Sequence, residues 1–391
     1  NIEAIEKTAL MIKEGYVIAV KGLGGFHLIC DATNDNVVNT LRTNKNRPLK
    51  PYALLFKDIN SIKDYTIVNL KEEEILTSKE KPIVLLDSKN NSILSKYIAP
   101  NVNKLGCFIA YTGIHHMLFR YLKTPIIATS ANLKDEPIIR GKEEIFEKLS
   151  GVVDFVLDYN RDIINTCDDS VIQVVKNYNI KLRNDRAYAP TPIKLDKKIE
   201  KKILSLGANQ KSTISLAFEN NLILSPHIGD LNSIQAVEYF ERTINTFKNF
   251  YDFEPEVVIC DKHPNYESTK FAFKLKEKNP NIKLIQIQHH YSHILSVMAE
   301  NKLDEEVLGI AFDGTGFGDD GNIWGGEVFV ASRKEYKRVN HIKYFRLLGG
   351  EMAIKEPKRV ALSLLFDIFT LDEILALDSF VVKAFSKEEI K

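Results

Sequence analysis

Cysteine is scarce in these 391 residues and never paired in sequence. Cys30, Cys107, Cys167 and Cys260 stand far apart with no Cys-x-x-Cys spacing, which argues against a zinc finger or a disulfide framework within them. Neither sign of charge dominates. Lys+Arg number 53 against 52 Asp+Glu, a formal net charge of +1, so no global field draws the chain to nucleic acid or an anionic membrane, and any anion site must be local. No apolar run approaches the roughly 20 residues needed to cross a bilayer, and the opening Asn-Ile-Glu-Ala-Ile-Glu lacks the basic start of a signal peptide. A soluble, cytoplasmic protein is expected. The start on Asn1 rather than Met and the stop inside the charged run Ser386 to Lys391 suggest a piece of a longer polypeptide. No internal repeat or low-complexity tract is visible, and 44% hydrophobic residues suffice for two or three compact cores.

Periodicity predicts a helix through about Lys13, a strand over Tyr16 to Val20, a glycine loop, and a helix around Asn36 to Lys45. Further strands are expected at Tyr52 to Phe56, Ile83 to Leu86, Pro125 to Thr129 and Ser170 to Val175. The pattern breaks at Ala189-Pro-Thr-Pro192, and the charged stretch that follows reads as a connector, giving a first domain over 1–190, a linker over 191–202 and a second domain over 203–391. The second domain should run strand 203–206, turn 207–209, strands 213–218 and 222–224, helix 234–249, strand 256–260, helix 267–278, strand 282–287, a helix from about His290 to Asn301, strand 307–313 and a glycine-rich hairpin ending at Val330.

Four clusters in the first domain could handle an anion. Lys21-Gly22-Leu-Gly24-Gly25-Phe26 follows a strand, so its backbone could approach a phosphate beside the lysine; a tight strand-to-helix turn explains it equally well. In Arg47-Pro-Leu-Lys50-Pro the prolines favour an extended polyproline path that sets Arg47 and Lys50 on one face, as a two-pronged cation for a triphosphate, against the alternative of a bland basic turn. Ser130-Ala-Asn132 lies beyond an apolar strand, where α/β sheets present ligand contacts or where a helix is capped. Arg183 and Arg186 form a further cationic pair near the domain end.

In this order and at these intervals the four clusters resemble the YrdC-type domain shared by threonylcarbamoyl-adenylate synthases and the HypF family, over roughly residues 1–190. The wording Lys-Gly-Leu-Gly-Gly-Phe-His-Leu with Cys30-Asp31-Ala32 is nearer to HypF. The resemblance implies catalytic roles for Lys21, Arg47 and Lys50, and nucleotide or carbamoyl contacts from Ser130, Asn132, Arg183 and Arg186. Two positions depart from the family pattern: Gly113, where proline is usual, and Ala187, where glycine is common. His115 and His116 read as fold or pocket-wall residues rather than metal ligands.

In the second domain, His289-His290-Tyr-Ser-His293 opens a helix, and the four-residue interval puts His289 and His293 on one face with Cβ atoms about 6 Å apart. A same-face pair can bind a divalent metal or merely sit on a solvated helix. Asp313, expected at the end of the strand 307–312, could complete the site, and Gly314-Thr315-Gly316 with Gly325-Gly326 free backbone N–H groups for phosphate. Gly207-Ala-Asn209-Gln-Lys211 is an equivalent turn that meets phosphate or simply joins a hairpin.

These strings, together with Pro226-His-Ile-Gly-Asp230, Cys260-Asp261-Lys-His263-Pro264-Asn-Tyr266 and Ile323-Trp-Gly-Gly-Glu327, resemble the carbamoyl-transferring branch of the actin-like, sugar-kinase-like superfamily, and within it the HypF family. The implied fold is α/β: a YrdC-like twisted mixed-sheet domain, then an actin-like (ribonuclease H-like) domain incomplete at its C-terminus. The implied enzyme is an ATP-dependent carbamoyltransferase of nickel–iron hydrogenase maturation. It forms carbamoyl adenylate from ATP, with Mg²⁺, and carbamate derived from carbamoyl phosphate. It then passes the carbamoyl group to the C-terminal cysteine thiol of HypE. His289, His293 and Asp313 would hold one divalent metal, zinc or iron. The acylphosphatase and zinc-finger parts usual in the family are not visible. Two rival readings are a tRNA threonylcarbamoyladenosine-forming enzyme, which the balanced charge disfavours, and a non-catalytic, nucleotide-gated scaffold that docks HypE.

Overall fold

A computed structural model describes residues 2–89 and 93–391. By their contacts the residues form two compact units, Asn1–Cys260 with Pro264–Ile285, and Asp261–His263 with Gln286–Lys391.

The first unit holds a 10-stranded mixed sheet. Its spatial order is Tyr178–Arg183, Val171–Val175, Ile83–Ser88, Lys104–Ile109, Ala53–Phe56, Ile126–Ser130, Phe26–Asp31, Ile18–Lys21 and Phe155–Leu157, with the short strand Thr66–Ile67 pairing Ile83–Ser88. Its two faces are buried separately. One carries Phe26, Leu28, Leu54, Phe56 and Val84 against the helix Asp35–Asn44. The other carries Ile29, Leu55 and Phe108 against Ile5, Ala9 and Ile12, which recur at the spacing of one face of the helix Ile2–Lys13. The Asn34 side chain accepts from the N–H groups of Asn36 and Val37 and so starts the second helix.

Two expectations are corrected here. The glycine loop joins not a strand to a helix but two antiparallel strands, with Lys21 opposite Phe26. The strand Phe26–Asp31 is buried along nearly its whole length, so it lacks the alternation that marks a half-exposed strand. Residues 191–202 are likewise no loose connector: they belong to the long strand Thr191–Leu206, antiparallel to Ile214–Leu224. Lysines mask the alternation of Ile193, Leu195, Ile199 and Ile203, and much of this ribbon is exposed.

The rest of the first unit is a four-stranded sheet ordered Ile214–Leu224, Thr191–Leu206, Val257–Asp261 and Lys283–Ile287. The helix Ile234–Phe250 covers it, burying Ala236, Tyr239, Phe240, Thr243, Ile244 and Phe247, a stripe at spacings of three and four.

In the second unit, Val307–Phe317, Ile323–Ala331 and Tyr336–His341 form a three-stranded antiparallel sheet. The helix His289–Glu300 packs on it through Tyr291, Ile294 and Met298, against Ala311, Trp324 and Phe329. Asp313 does not end its strand as expected. The strand runs on to Phe317 with a register shift between Phe312 and Gly316, a bulge of the kind that re-aims a side chain. Among the described residues no helix is long and apolar enough to cross a membrane.

Candidate functional site

The first unit gathers its cations around a cavity of about 480 Å³. Arg47, Lys50, Arg183 and Lys211 line it together with His27, Ser130, Asp168 and Asp169. The Arg47 to Pro51 segment is not extended, as the prolines suggested. It bends so that Arg47 Nε donates to the Lys50 carbonyl at 3.0 Å and Nη2 to the Pro51 carbonyl at 2.6 Å. A residue the sequence reading passed over shapes this bend: buried Arg42 donates to the carbonyls of Arg47 at 2.5 Å and Lys50 at 3.2 Å, and to Tyr97.

Lys45 was also missed as a site residue. Its Nζ donates to the Ser130 carbonyl at 2.6 Å, the Asn132 carbonyl at 2.9 Å and Asn132 Oδ1 at 2.9 Å, while Ser130 Oγ donates to Asn132 Oδ1 at 3.0 Å. Lys45 therefore ties the Ser-Ala-Asn turn to the end of the preceding helix. Burial, then repulsion from Arg47, pulls its ammonium down to about 7. Burial also pulls Arg47 down to about 10, against the opposing effect of Tyr52 and with help from Arg42 and Arg183. Lys50 is lowered by burial and then by Arg47 and Arg183. Like charges crowded in a low dielectric disfavour one another, and a bound anion relieves them.

Four expected ligands are committed elsewhere. Lys21 is buried and faces Asp158 Oδ1 at 3.0 Å and the Tyr159 carbonyl at 3.2 Å, and it does not line the cavity. Arg186 has its fork on Asp169 Oδ1 at 2.6 Å and the carbonyls of Glu80 and Lys81, both at 2.9 Å, with its plane 3.6 Å from the Tyr111 ring centroid. These contacts hold Asp169 in place. Gly207 closes the turn between two strands, where a Cβ would lie 2.6 Å from the Thr213 carbonyl oxygen. Asn209 Oδ1 accepts from the Glu267 N–H at 2.9 Å, at the start of the helix Glu267–Lys278. The glycine loop has a packing reason too, since a Cβ on Gly24 would lie 2.4 Å from Cys167 Sγ. His115 is a buried wall residue pushed down to about 3 by burial.

The second unit brings His289, His293 and Asp313 together, with one ligand atom from each lying within 4.8 Å of the others. The two rings are 5.0 Å apart. Asp313 Oδ2 is 2.8 Å from His289 Nε2 and 3.4 Å from His293 Nε2. Asp261, 28 positions before the histidine and missed as a site residue, meets His289 Nδ1 with its Oδ2 at 2.7 Å. With Asp261 claiming the Nδ1 proton, the Nε2 lone pair and the Asp313 oxygen face each other as two acceptors, an arrangement that requires a proton or a metal ion between them. The hydrogen bonds that His289 donates to Asp261 and Asp313, opposed by burial, accordingly raise His289 to about 9, and those that Asp313 accepts from His289 and His293 hold it far below the usual carboxylate range. Two imidazoles and a carboxylate fit zinc or iron.

Gly316 belongs to the packing of this cluster. A Cβ there would lie 2.4 Å from His290 Cε1 and 3.1 Å from His289 Cδ2. Gly314, Thr315, Gly325 and Gly326 do border a cavity of about 780 Å³ alongside Asp313, although the Gly325 N–H already donates to Glu327 Oε1 at 3.0 Å.

Comparison with known proteins identifies the domains. Residues 10–184 match the Sua5/YciO/YrdC family model, described as "Telomere recombination". Residues 198–300 match the "HypF Kae1-like domain", and 309–390 the "Carbamoyltransferase, Kae1-like Domain, second subdomain". Carbamoyltransferase HypF of Synechocystis sp. is 42% identical over 368 residues, spanning 94% of this chain and 47% of that protein. The chain belongs to the HypF family. Probable carbamoyltransferase HypF of Methanocaldococcus jannaschii is 35% identical over 93% of this chain and 47% of its own length. A crystal structure of full-length HypF in a phosphate- and nucleotide-bound form superposes with a TM-score of 0.89 at 40% identity, covering 97% of this chain and 60% of that one. HypF of T. kodakarensis superposes at 0.87 with 37% identity, over 94% and 48%. The chain thus spans about half the length of the curated HypF relatives it matches.

Proposed function

We propose that the protein of which these residues form part is an ATP-dependent carbamoyltransferase of nickel–iron hydrogenase maturation. The observation that carries the proposal is the crowding of the cations Arg47, Lys50 and Arg183 around one cavity, beside the Ser130 turn that Lys45 ties down. A carbamate oxygen, derived from carbamoyl phosphate, attacks the α-phosphorus of ATP, the P–O bond to pyrophosphate breaks, and carbamoyl adenylate forms. Arg47, Lys50 and Arg183 balance the charge that accumulates on the phosphates, to which Mg²⁺ would add further neutralisation, and Lys45 fixes the turn that carries Ser130 and Asn132. Lys211, which lines the same cavity, supports the same phosphates.

Transfer is assigned to the second unit. The thiolate of the C-terminal cysteine of HypE attacks the carbamoyl carbon, the C–S bond forms, the C–O bond breaks, and AMP leaves. A zinc or iron ion held by His289, His293 and Asp313 would supply Lewis-acid polarisation of the carbamoyl oxygen. Asp261 keeps the His289 tautomer, and Gly314, Thr315, Gly325 and Gly326 shape the place for the adenylate. We assign the first chemistry to residues 1–190 and the second to 203–391, joined through 191–202.

The test is carbamate-dependent ATP–pyrophosphate exchange. Replacing Arg47 and Lys50 together by alanine is expected to lower it by at least about 100-fold, the scale on which lost electrostatic stabilisation acts. Unchanged exchange in the double variant refutes the assignment.

A further inference from the structure

A second compartment, of about 260 Å³, opens beside the cation-lined cavity and shares Lys50, Asp168, Arg183, Lys211 and His227 with it. Asp185 and Thr166 also line it, at 1% and 4% exposure. Among the described residues neither Asp185 carboxyl oxygen has a hydrogen-bond partner, and nor does Thr166 Oγ1. The fold makes full use of the Asp185 backbone: its N–H donates to Ser170 Oγ at 2.8 Å, and its carbonyl accepts from the N–H groups of Tyr188 at 2.9 Å and Ala189 at 2.8 Å. It makes no use of the carboxyl.

Among the described residues no cation forms an ion pair with that carboxyl. Arg186, adjacent in sequence, is taken up by Asp169 and the carbonyls of Glu80 and Lys81, and Arg183 donates its Nε to the Asp169 carbonyl at 2.7 Å and places Nη1 3.3 Å from Asp168 Oδ2. Burial first, then Asp168, pushes Asp185 up to about 8, while Arg183 and the nearby Asp168 N–H, which falls short of hydrogen-bond geometry, act in the opposite direction. A buried carboxyl without partners costs the fold several kcal/mol unless a ligand satisfies it.

We propose that Asp185, with Thr166, is the subsite that recognises the carbamoyl –C(=O)NH₂ end of the substrate in the adenylation step, an inference that rests on the function proposed above. A neutral carboxyl offers one donor and one acceptor side by side. A primary carbamate offers the complementary pair, an N–H donor beside a carbonyl acceptor, so the two close a ring of two hydrogen bonds. The adenine edge has a similar donor–acceptor pattern, but the larger cavity has the aliphatic wall of Ile83, Leu85, Val102 and Val171 suited to a purine. The smaller compartment is bordered by Asp135, Glu136, Asp168 and Asp230, whose negative charge favours an N–H-rich group and disfavours an N-substituent bearing a carboxylate.

The experiment is ATP–pyrophosphate exchange by the full-length protein, with carbamate supplied as its ammonium salt. Asp185→Leu is expected to raise KM for carbamate by about tenfold or more, with KM for ATP unchanged within about twofold. Asp185→Asn, which keeps the shape and one donor–acceptor pair, should give a rise of about threefold, and it carries the test should the leucine variant not fold. A rise in KM for ATP instead, or no change in either constant in a folded variant, overturns the subsite alone. Absence of carbamate-dependent exchange in the unaltered protein overturns the underlying function and the subsite with it.

Discussion

Replacing Asp185 by asparagine is expected to stabilise the protein near neutral pH. The carboxyl ordinarily titrates near 3.8 and is pushed up to about 8 in the fold, chiefly by burial and then by Asp168. Between those values the folded state holds a proton that the unfolded state has released. Stability attributable to this group is therefore greatest at low pH, declines as pH rises from about 4 to about 8, and levels off above. At about pH 7 the window passed is roughly three pH units, each worth about 1.4 kcal/mol, so ionisation linkage costs the fold on the order of 4 kcal/mol. The amide in the variant does not titrate but stays buried without partners, a residual penalty of about 1–3 kcal/mol. The protonated carboxyl of the parent bears a similar penalty, so the two largely cancel and the net gain is about 4 kcal/mol. Urea unfolding of both proteins at about pH 5 and about pH 8 measures the difference. The variant should gain more at the higher pH, because only the parent loses stability there through this group. An equal difference at both pH values, or a variant less stable than its parent at the higher one, would show that Asp185 is not held neutral by its surroundings.

The other expectations concern backbone, ligation and packing. Ala187 has a φ of +68°, so Ala187→Gly should raise stability by about 1 kcal/mol in thermal or urea melts, since only glycine occupies that region without steric cost. Gly113 opens the helix Gly113–Leu118 after Thr112 at φ −114°, ψ 157°, a conformation that tolerates a following proline, so Gly113→Pro should add about 0.5–1 kcal/mol. Asp261→Asn should weaken zinc binding by about 10–100-fold in calorimetric titration while leaving the ligand set intact. Arg186→Met should cost about 3 kcal/mol of stability in denaturant melts, because it removes the nearest cation from the buried Asp169 and leaves it only the more distant His27 and Arg183.

Helices were the most legible part of the chain, because capping and periodicity are local. The helix expected at 234–249 is found as Ile234–Phe250 with Ser233 at its cap, and the one expected at 267–278 is Glu267–Lys278. The strands Phe26–Asp31 and Lys104–Ile109 were not read from sequence, because both are buried nearly throughout and so show no alternation. The ribbon strand Thr191–Leu206 was taken for a connector because its lysines dominate the local composition. The family models break between residues 184 and 198, whereas contacts divide the chain near residues 260–285. Ancestry and packing thus partition the same polypeptide differently.

Site residues were legible where chemistry and position coincide. The two histidines one helical turn apart could be seen in sequence, and Asp313 does converge on them. Asp261 could not be placed with them, since a strand end and a helix start meet only through tertiary structure. Lys45 figured in the sequence only as the end of the helix expected around Asn36 to Lys45, and its three hydrogen bonds to the Ser130 and Asn132 turn emerge only from the fold. Lys21 and Arg186 were assigned by resemblance to the family's motifs, and in the fold each faces a carboxylate, Asp158 and Asp169. A cation's availability depends on its neighbours, which a linear string does not record.

The irregularity between Phe312 and Gly316 acts as a parity device. Phe312 lies opposite Gly326 and Gly316 opposite Trp324, so one strand advances four residues while its partner advances two. Removing two residues from the longer side would restore an even ladder with the flanking side chains on their present faces, whereas removing one would invert every residue beyond it, exchanging interior for solvent. Length variation among natural relatives of this hairpin should therefore come in steps of two, and an odd step would need a compensating change on the Ile323–Ala331 side.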